Sequence, residues 1–362
     1  MNKLPIPVMQ WMLRSPSRIL RTTKLFFNYC ASLKKIKSLG KEKNLTVPLL
    51  LIISSTARCN LSCAGCYSKH SSSEGEMSVA DFDKLITQSK ATGVFFYVIA
   101  GGEPFLRKDL FELYAKHKDV AFLIFTNGTL ITEEYVEKIV KAGNAAVMLS
   151  IEGFEAETNQ RRGEQVHKKV LEAMKILKKM DVFHGFSVTV SKANIDVMLD
   201  DKFFNEMVDG GCRMGTYVEY IPCNGLKELV LTSEDRLKLR AKILERKKHK
   251  KIMLFHLPED ENAFAGKCLS AGSGFMHINS QGYAEPCPFV NYASENIKQK
   301  SFKEILASPF LKAIREKEAT LEPGSLGCGL FENLEEVKKI AEKCGAIDTA
   351  GSQSSRNSQN SQ

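Results

Sequence analysis

No apolar run in this chain approaches the roughly 18 residues that a membrane-spanning helix needs. Runs such as Val47 to Ile53 are strand-sized, and that one contains Pro48. A secretory signal is missing as well, because arginines and lysines interrupt residues 1–45 every few positions. These two absences predict a cytoplasmic protein. Cysteine is too sparse for a disulfide scaffold, with ten in 362 residues. Cytosolic thiols stay reduced, so any that cluster point to metal or redox chemistry. A basic-aromatic module of the RNA-binding kind is also lacking outside the N-terminal segment, so no nucleic-acid partner is expected.

The length suits one large domain plus a smaller one, since single cores stop growing at about 250 to 300 residues. Net charge is +9 and unevenly spread. The run Glu245 to Lys251 reads as a solvated helix terminus. In the N-terminal segment Trp11, Leu13, Ile19, Leu20, Leu25, Phe26 and Phe27 alternate with Arg14, Arg18, Arg21 and Lys24. Such a helix fits either the protein's own surface or an anionic membrane interface.

From Val47 to Cys223 apolar runs alternate with helical patterns. The runs are VPLLLIISS, VFFYVIA (94–100), VAFLIFT (120–126), AAVMLSI (145–151), FSVTV (186–190) and GTYVEYIP (215–222). Continuous runs of this length read as strands buried on both faces, the habit of parallel sheets. Ser78 with Asp81, and Thr132 before Glu133 and Glu134, are helix starts. Val166, Val170, Leu171, Met174 and Leu177 share one helical face. Repeated β/α units predict a parallel α/β barrel or open partial barrel, with ligands at the C-terminal strand ends.

Just past the first strand, TARCNLSCAGCYSKH places Cys59, Cys63 and Cys66 in one loop. Three thiolates are one short of closing a tetrahedral zinc site, or of filling every iron of a [4Fe-4S] cluster. The loop is therefore either a structural zinc loop that borrows a distant ligand or a cluster site with one open position.

Cys59-x3-Cys63-x2-Cys66, followed by Tyr67 and then by AGGEP at the end of the second strand, resembles the radical S-adenosylmethionine (radical SAM) superfamily. The resemblance implies a partial parallel (β/α)6 radical SAM barrel. Its three cysteines would hold three irons of a [4Fe-4S] cluster, and the amino and carboxylate groups of S-adenosylmethionine (SAM) would chelate the fourth. Gly101 and Gly102 would let backbone approach a ligand, Glu103 would accept hydrogen bonds from the SAM amino group, and Tyr67 would lie near the adenine. Asn127 and Ser150 match polar strand-end positions of the pocket, and Ile221 matches an apolar adenine contact. In ETNQRRG, Arg162 would pair with the SAM carboxylate, with Arg161 as a rival.

Further on, Cys268-x13-Gly282-x4-Cys287-Pro resembles the opening of the C-terminal extension called SPASM, or twitch in its shortened form. Of the cysteines expected later, only Cys328 and Cys344 remain. The count fits one auxiliary [4Fe-4S] cluster held by Cys268, Cys287, Cys328 and Cys344, with Cys212 and Cys223 as substitutes for the last.

The expected organisation is a basic amphipathic segment over 1–45, a core barrel over 46–230, a linker helix over 231–266, a SPASM/twitch-like region over 267–347 and a disordered tail over 348–362. The resemblance implies an enzyme that reductively cleaves SAM to a 5′-deoxyadenosyl radical, fed by an electron donor such as flavodoxin or ferredoxin. Hydrogen would be taken from a peptide or protein side chain. No separate leader-binding domain is evident before the barrel, so action on a lipid or other small molecule at a membrane surface, through residues 1–40, is the alternative. A non-catalytic iron–sulfur or zinc protein is the third reading.

Overall fold

The six apolar runs form six neighbouring parallel strands: β1 Leu50–Ser54, β2 Phe96–Ala100, β3 Ala121–Thr126, β4 Ala145–Ser150, β5 His184–Val190 and β6 Met214–Glu219. The structure, a computed structural model, describes residues 6–350 apart from 44, 70, 224, 250, 319, 322, 323, 325 and 326. Three further strands join the same sheet: β7 Met253–Leu257, β8 Phe275–Ile278 and β9 Ala284–Glu285. The order is β7-β6-β5-β4-β3-β2-β1-β8-β9, and every neighbouring pair is parallel except β8 with β9. The SPASM-like region is thus built onto the barrel, since β8 pairs with β1 from Leu50↔Phe275 to Ile53↔Ile278.

Helices cover one face of the sheet. Tyr97 and Ile99 of β2 are buried, and the Tyr97 hydroxyl lies 2.8 Å from Ser89 Oγ on the helix Val79–Lys90. Their neighbours Phe96, Val98 and Ala100 are more accessible, and β3 alternates in the same way. The apolar runs are therefore buried on both faces only in part: the second face is the partly open concave side of the barrel. Ser78 and Thr132 cap their helices as expected, Ser78 in a full capping box with Asp81. On the helix Val166–Lys179 the buried stripe is Val166, Val170, Ala173, Met174 and Leu177, with Leu171 at its margin.

The N-terminal helices Ile6–Met12 and Pro16–Lys43 run across the N-terminal ends of the strands. Trp11 packs edge-on against Phe183 at 5.6 Å and donates from Nε1 to Asp181 O at 3.0 Å, just before β5. Arg14 and Arg18 bind the Asp181 carboxylate. Arg21 donates to Val140 O before β4, Asn28 to Asp119 O before β3, and Tyr29 meets Phe95 before β2 at 5.6 Å. Part of the apolar face thus packs on the underside of the barrel, with Trp11, Leu25 and Phe26 half-buried and Ile19 exposed. Leu13, Leu20 and Phe27, seven residues apart, remain 66%, 74% and 66% exposed.

Two segments depart from the sequence reading. The expected linker helix over 231–266 begins as the helix Ser233–Arg246, but β7 follows and extends the sheet beyond β6. Its five residues are too short to be told from helix by periodicity. At the other end Ile347–Asp348 pairs with Tyr292–Ala293, and Thr349 donates its backbone N–H to Asn291 O at 2.9 Å. The rest of the expected tail, from 351, lies outside the described residues.

Candidate active site

The cysteine loop leaves β1 and is tied down at both ends. Glu76 accepts from Thr56 Oγ1 and Ala57 N, both at 2.7 Å, and Ala64 N donates to Arg161 O at 2.9 Å. Gly102 N donates to Thr56 O at 2.7 Å and Glu103 N to Arg58 O at 2.9 Å, so the end of β2 lies directly on the loop backbone. A Cβ on Gly102 would stand 2.0 Å from Arg58 O, and one on Gly101, at φ +107°, would stand 2.6 Å from Thr56 O. The close approach for which these glycines are suited is to the cysteine loop itself. Gly102→Ala is expected to displace the loop and remove one cluster's iron from anaerobically reconstituted protein, read as iron per chain.

Glu103 is 1% exposed and accepts from Thr126 Oγ1 at 2.7 Å, Asn127 N at 2.8 Å and Phe105 N at 3.0 Å. Burial pushes its carboxyl above the usual range against these donors. Among the described residues only the Asn127 N–H is given to Oε2, which leaves that oxygen capacity for another donor. Asn127 in turn directs its amide to Asn60 Oδ1 at 2.9 Å and to Cys59 Sγ at 3.8 Å. Leu61 N also points at Cys59 Sγ, at 3.4 Å. Ser150 ends β4 opposite Ser187.

Two residues beyond Ser150, Glu152 organises the arginines. Its buried carboxylate accepts from Arg161 Nη1, from Arg162 Nε at 2.8 Å and Nη2 at 2.5 Å, and from Thr189 N at 2.9 Å. Arg162 thus already uses part of its fork on the protein, and Arg161 and Arg162 act as a pair. Burial raises the Cys63 thiol, and the charges of Arg162 and Arg161 oppose that rise. Sequence reading missed Glu152, although a glutamate two residues past a strand end is where such folds place functional groups.

Tyr67 packs edge-on against Phe289 at 5.9 Å, joining the cysteine loop to the region after Cys287. Burial, then the Cys66 charge, pushes its phenol well up. Ile221 is buried just past β6, and the neighbouring Tyr220 ring would meet a Cβ on Gly65 at 2.7 Å. Where β1 meets β8, Ser54 Oγ lies 2.8 Å from His277 Nε2, and His277 Nδ1 lies 2.6 Å from Glu285 Oε2.

At the second site the backbone brings Cys268 and Cys287 together through Ala271 N, which donates to Pro286 O at 3.0 Å. The Cys328 charge bears on both thiols, and burial raises all three, Cys328 to about 11. The Cys223 thiol, pushed up to about 12 by burial, feels Cys328 and Cys66 and so stands between the two sites. Cys212 is buried beside Arg213. Cys344 ends the helix Leu334–Cys344, half-buried against apolar neighbours.

Among the described residues no three His, Cys, Asp or Glu side chains converge tightly enough to hold a single ion. The cysteine loop is nevertheless furnished for a larger thiolate-bound centre, with N–H donors aimed at Cys59 and guanidinium charge beside Cys63.

The Radical SAM superfamily model matches residues 53–202, and an iron–sulfur cluster-binding domain, SPASM, matches residues 268–329. The chain belongs to the radical SAM superfamily and carries a C-terminal SPASM region. It is accordingly an enzyme of [4Fe-4S] cluster and SAM, with an auxiliary cluster. It is 27% identical over 330 residues to the AdoMet-dependent heme synthase of Methanosarcina barkeri, covering 83% of this chain and 91% of that one. It is 24% identical over 281 residues to the PqqA peptide cyclase of Bradyrhizobium diazoefficiens, covering 74% and 73%. Its fold matches the crystal structure of Streptococcus suis SuiB bound to S-adenosylmethionine at TM-score 0.67 and 19% identity, over 83% of this chain and 75% of that one.

Proposed function

We propose that this enzyme takes a hydrogen atom from a peptide or protein side chain. When bound, the four-iron cluster and SAM supply reductive cleavage of the sulfonium and a 5′-deoxyadenosyl radical. Cys59, Cys63 and Cys66 hold that cluster. Glu103 receives the SAM amino group on its spare oxygen, and Arg162, steadied by Glu152, faces the carboxylate. Tyr67, Gly101, Gly102, Asn127, Ser150 and Ile221 line the pocket and keep water from a radical that would attack whatever lies nearest. Electrons come from a small carrier such as flavodoxin or ferredoxin.

The observation that carries the peptide reading is the similarity to a peptide cyclase over 74% of the chain. Comparative profiling of peptides and metabolites in cells with and without the protein tests it. A peptide whose mass changes only when the protein is present supports the reading. A changed small molecule with an unchanged peptide pool overturns it.

A second reading, a small-molecule substrate met at a membrane, is favoured by the 91% coverage of a heme synthase and by the N-terminal helices. Residues 1–41 carry nine lysines and arginines and no acid, and Leu13, Leu20 and Phe27 stand out from them. Among the described residues no helix is long and apolar enough to cross a membrane, so contact would be peripheral. On this reading the full chain co-sediments with phosphatidylserine-containing vesicles at low salt, and the Leu13/Leu20/Phe27→Ser variant loses most of that binding. Equal sedimentation of both forms removes the membrane contact.

A further inference from the structure

We propose that Glu318 supplies the fourth ligand of the auxiliary cluster, an oxygen donor beside the thiols of Cys268, Cys287 and Cys328. The inference rests on the auxiliary cluster itself being present.

Glu318 breaks the pattern of its own helix. In Pro309–Glu318 the buried stripe runs Phe310, Leu311, Ile314 and then Glu318, which is only 3% exposed. An acid at the fourth place of an apolar stripe needs a partner. One oxygen has one, since Ser270 Oγ donates to Oε1. The other, Oε2, is buried with no hydrogen-bond partner among the described residues. Burial raises this carboxyl to about 7. Leaving such an oxygen unsatisfied is costly, so its surroundings should hold what it binds.

Those surroundings include the three thiols, together with Lys267, Arg315 and Glu261. Ser270 is two residues from Cys268, and Ala271 both donates to Pro286 O, next to Cys287, and accepts from Arg315 Nη1 at 2.7 Å. The Glu318 charge bears on Cys268, Cys287 and Cys328 alike. Arg315 and Lys267 act on Glu318 only through space. Three thiols and an acid in one buried region, with no side-chain cation bonded to the acid among the described residues, suit a metal centre, whose positive charge would draw all four into their anionic forms. In the bound state the Oε2–iron bond forms with the carboxyl deprotonated, its proton passing to solvent.

The alternatives are placed differently. Cys344 closes a helix among apolar side chains, and the Cys223 thiol faces Cys328 and Cys66 from the barrel side. Glu261, also raised to about 7 by burial, bears on Cys268 and Cys328 too, but among the described residues it presents no buried oxygen left without a partner.

The test uses the full chain with Cys59, Cys63 and Cys66 changed to alanine, so that only auxiliary iron remains. After anaerobic reconstitution with ferrous iron and sulfide, iron per chain and the electron paramagnetic resonance (EPR) spectrum are recorded. The parent should hold about four irons. Glu318→Gln should lose at least a quarter of that iron and show a three-iron signal when oxidised. Glu318→Cys should recover the iron with an altered spectrum, while Cys344→Ser, Cys223→Ser and Glu261→Gln keep the parent spectrum. Parental iron and an unchanged spectrum in Glu318→Gln overturn the proposal, as does a loss of iron confined to Cys344→Ser or Cys223→Ser. A parent without iron removes the auxiliary cluster and the proposal together. Thermal unfolding of iron-free Glu318→Gln separates ligand loss from misfolding: with the buried acid neutralised, it should melt no lower than the parent.

Discussion

Changing Cys59, Cys63 and Cys66 together to alanine should abolish SAM cleavage, lowering 5′-deoxyadenosine formation by more than about a thousandfold. On the proposed reading these three thiols hold the iron, and without them the electron has no path to the sulfonium. The fold should survive. The loop is held by Glu76, by the backbone of Gly102 and Glu103 and by Arg161 O, none of which the substitution touches. The auxiliary site is built from other residues, so the variant should keep about half of the wild-type iron. A variant that cleaved SAM as well as the wild type would end the radical SAM reading of this loop.

The second large effect is expected at Glu152. Four N–H donors converge on this buried carboxylate, three of them from the guanidinium groups of Arg161 and Arg162, whose side chains are 17% and 11% exposed. Glu152→Gln keeps an acceptor for Thr189 N but leaves two buried cations without their counter-charge. Breaking one side of a buried ion pair costs about 3–5 kcal/mol. At about 2–4 °C per kcal/mol for a chain of this size or somewhat smaller, the midpoint should fall by roughly 6 °C or more. Thermal unfolding of the iron-free protein measures it without interference from the clusters. A midpoint within 1 °C of wild type would mean that solvent or SAM-site water already carries the arginines, and the role given to Glu152 would be wrong.

What could be read in advance was what is local. Six strands showed themselves as apolar runs because parallel strands are apolar along their whole length. The caps at Ser78 and Thr132 were legible because capping is a matter of neighbours three residues apart. The cysteine loop and the GGEP turn were legible because their chemistry is written in spacing. β7 was not, since MLFHL is five residues with Phe255 exposed between the buried Leu254 and His256, and only pairing with β6 makes it a strand. The N-terminal amphipathic helix was visible, but not the surface it would choose. It packs on the strand bottoms through Trp11, Asp181 and Tyr29, and that needs the barrel to exist first. Glu152 and Glu318 were invisible for the same reason: an acid declares its role only when burial and its partners are known. Glu103 lay between these cases. Its motif pointed to SAM, while its three protein donors appear only in the folded chain.

The loop from Cys59 to Cys66, with Glu103 behind it, is proposed to bind and cleave SAM. The most direct measurement is the product formed when the full chain, reconstituted anaerobically with iron and sulfide and reduced with dithionite, is incubated with SAM and resolved by liquid chromatography and mass spectrometry. 5′-Deoxyadenosine and methionine should form, only with reductant and only with iron-loaded protein. Intact SAM under those conditions, with both clusters verified by iron content, would contradict that role.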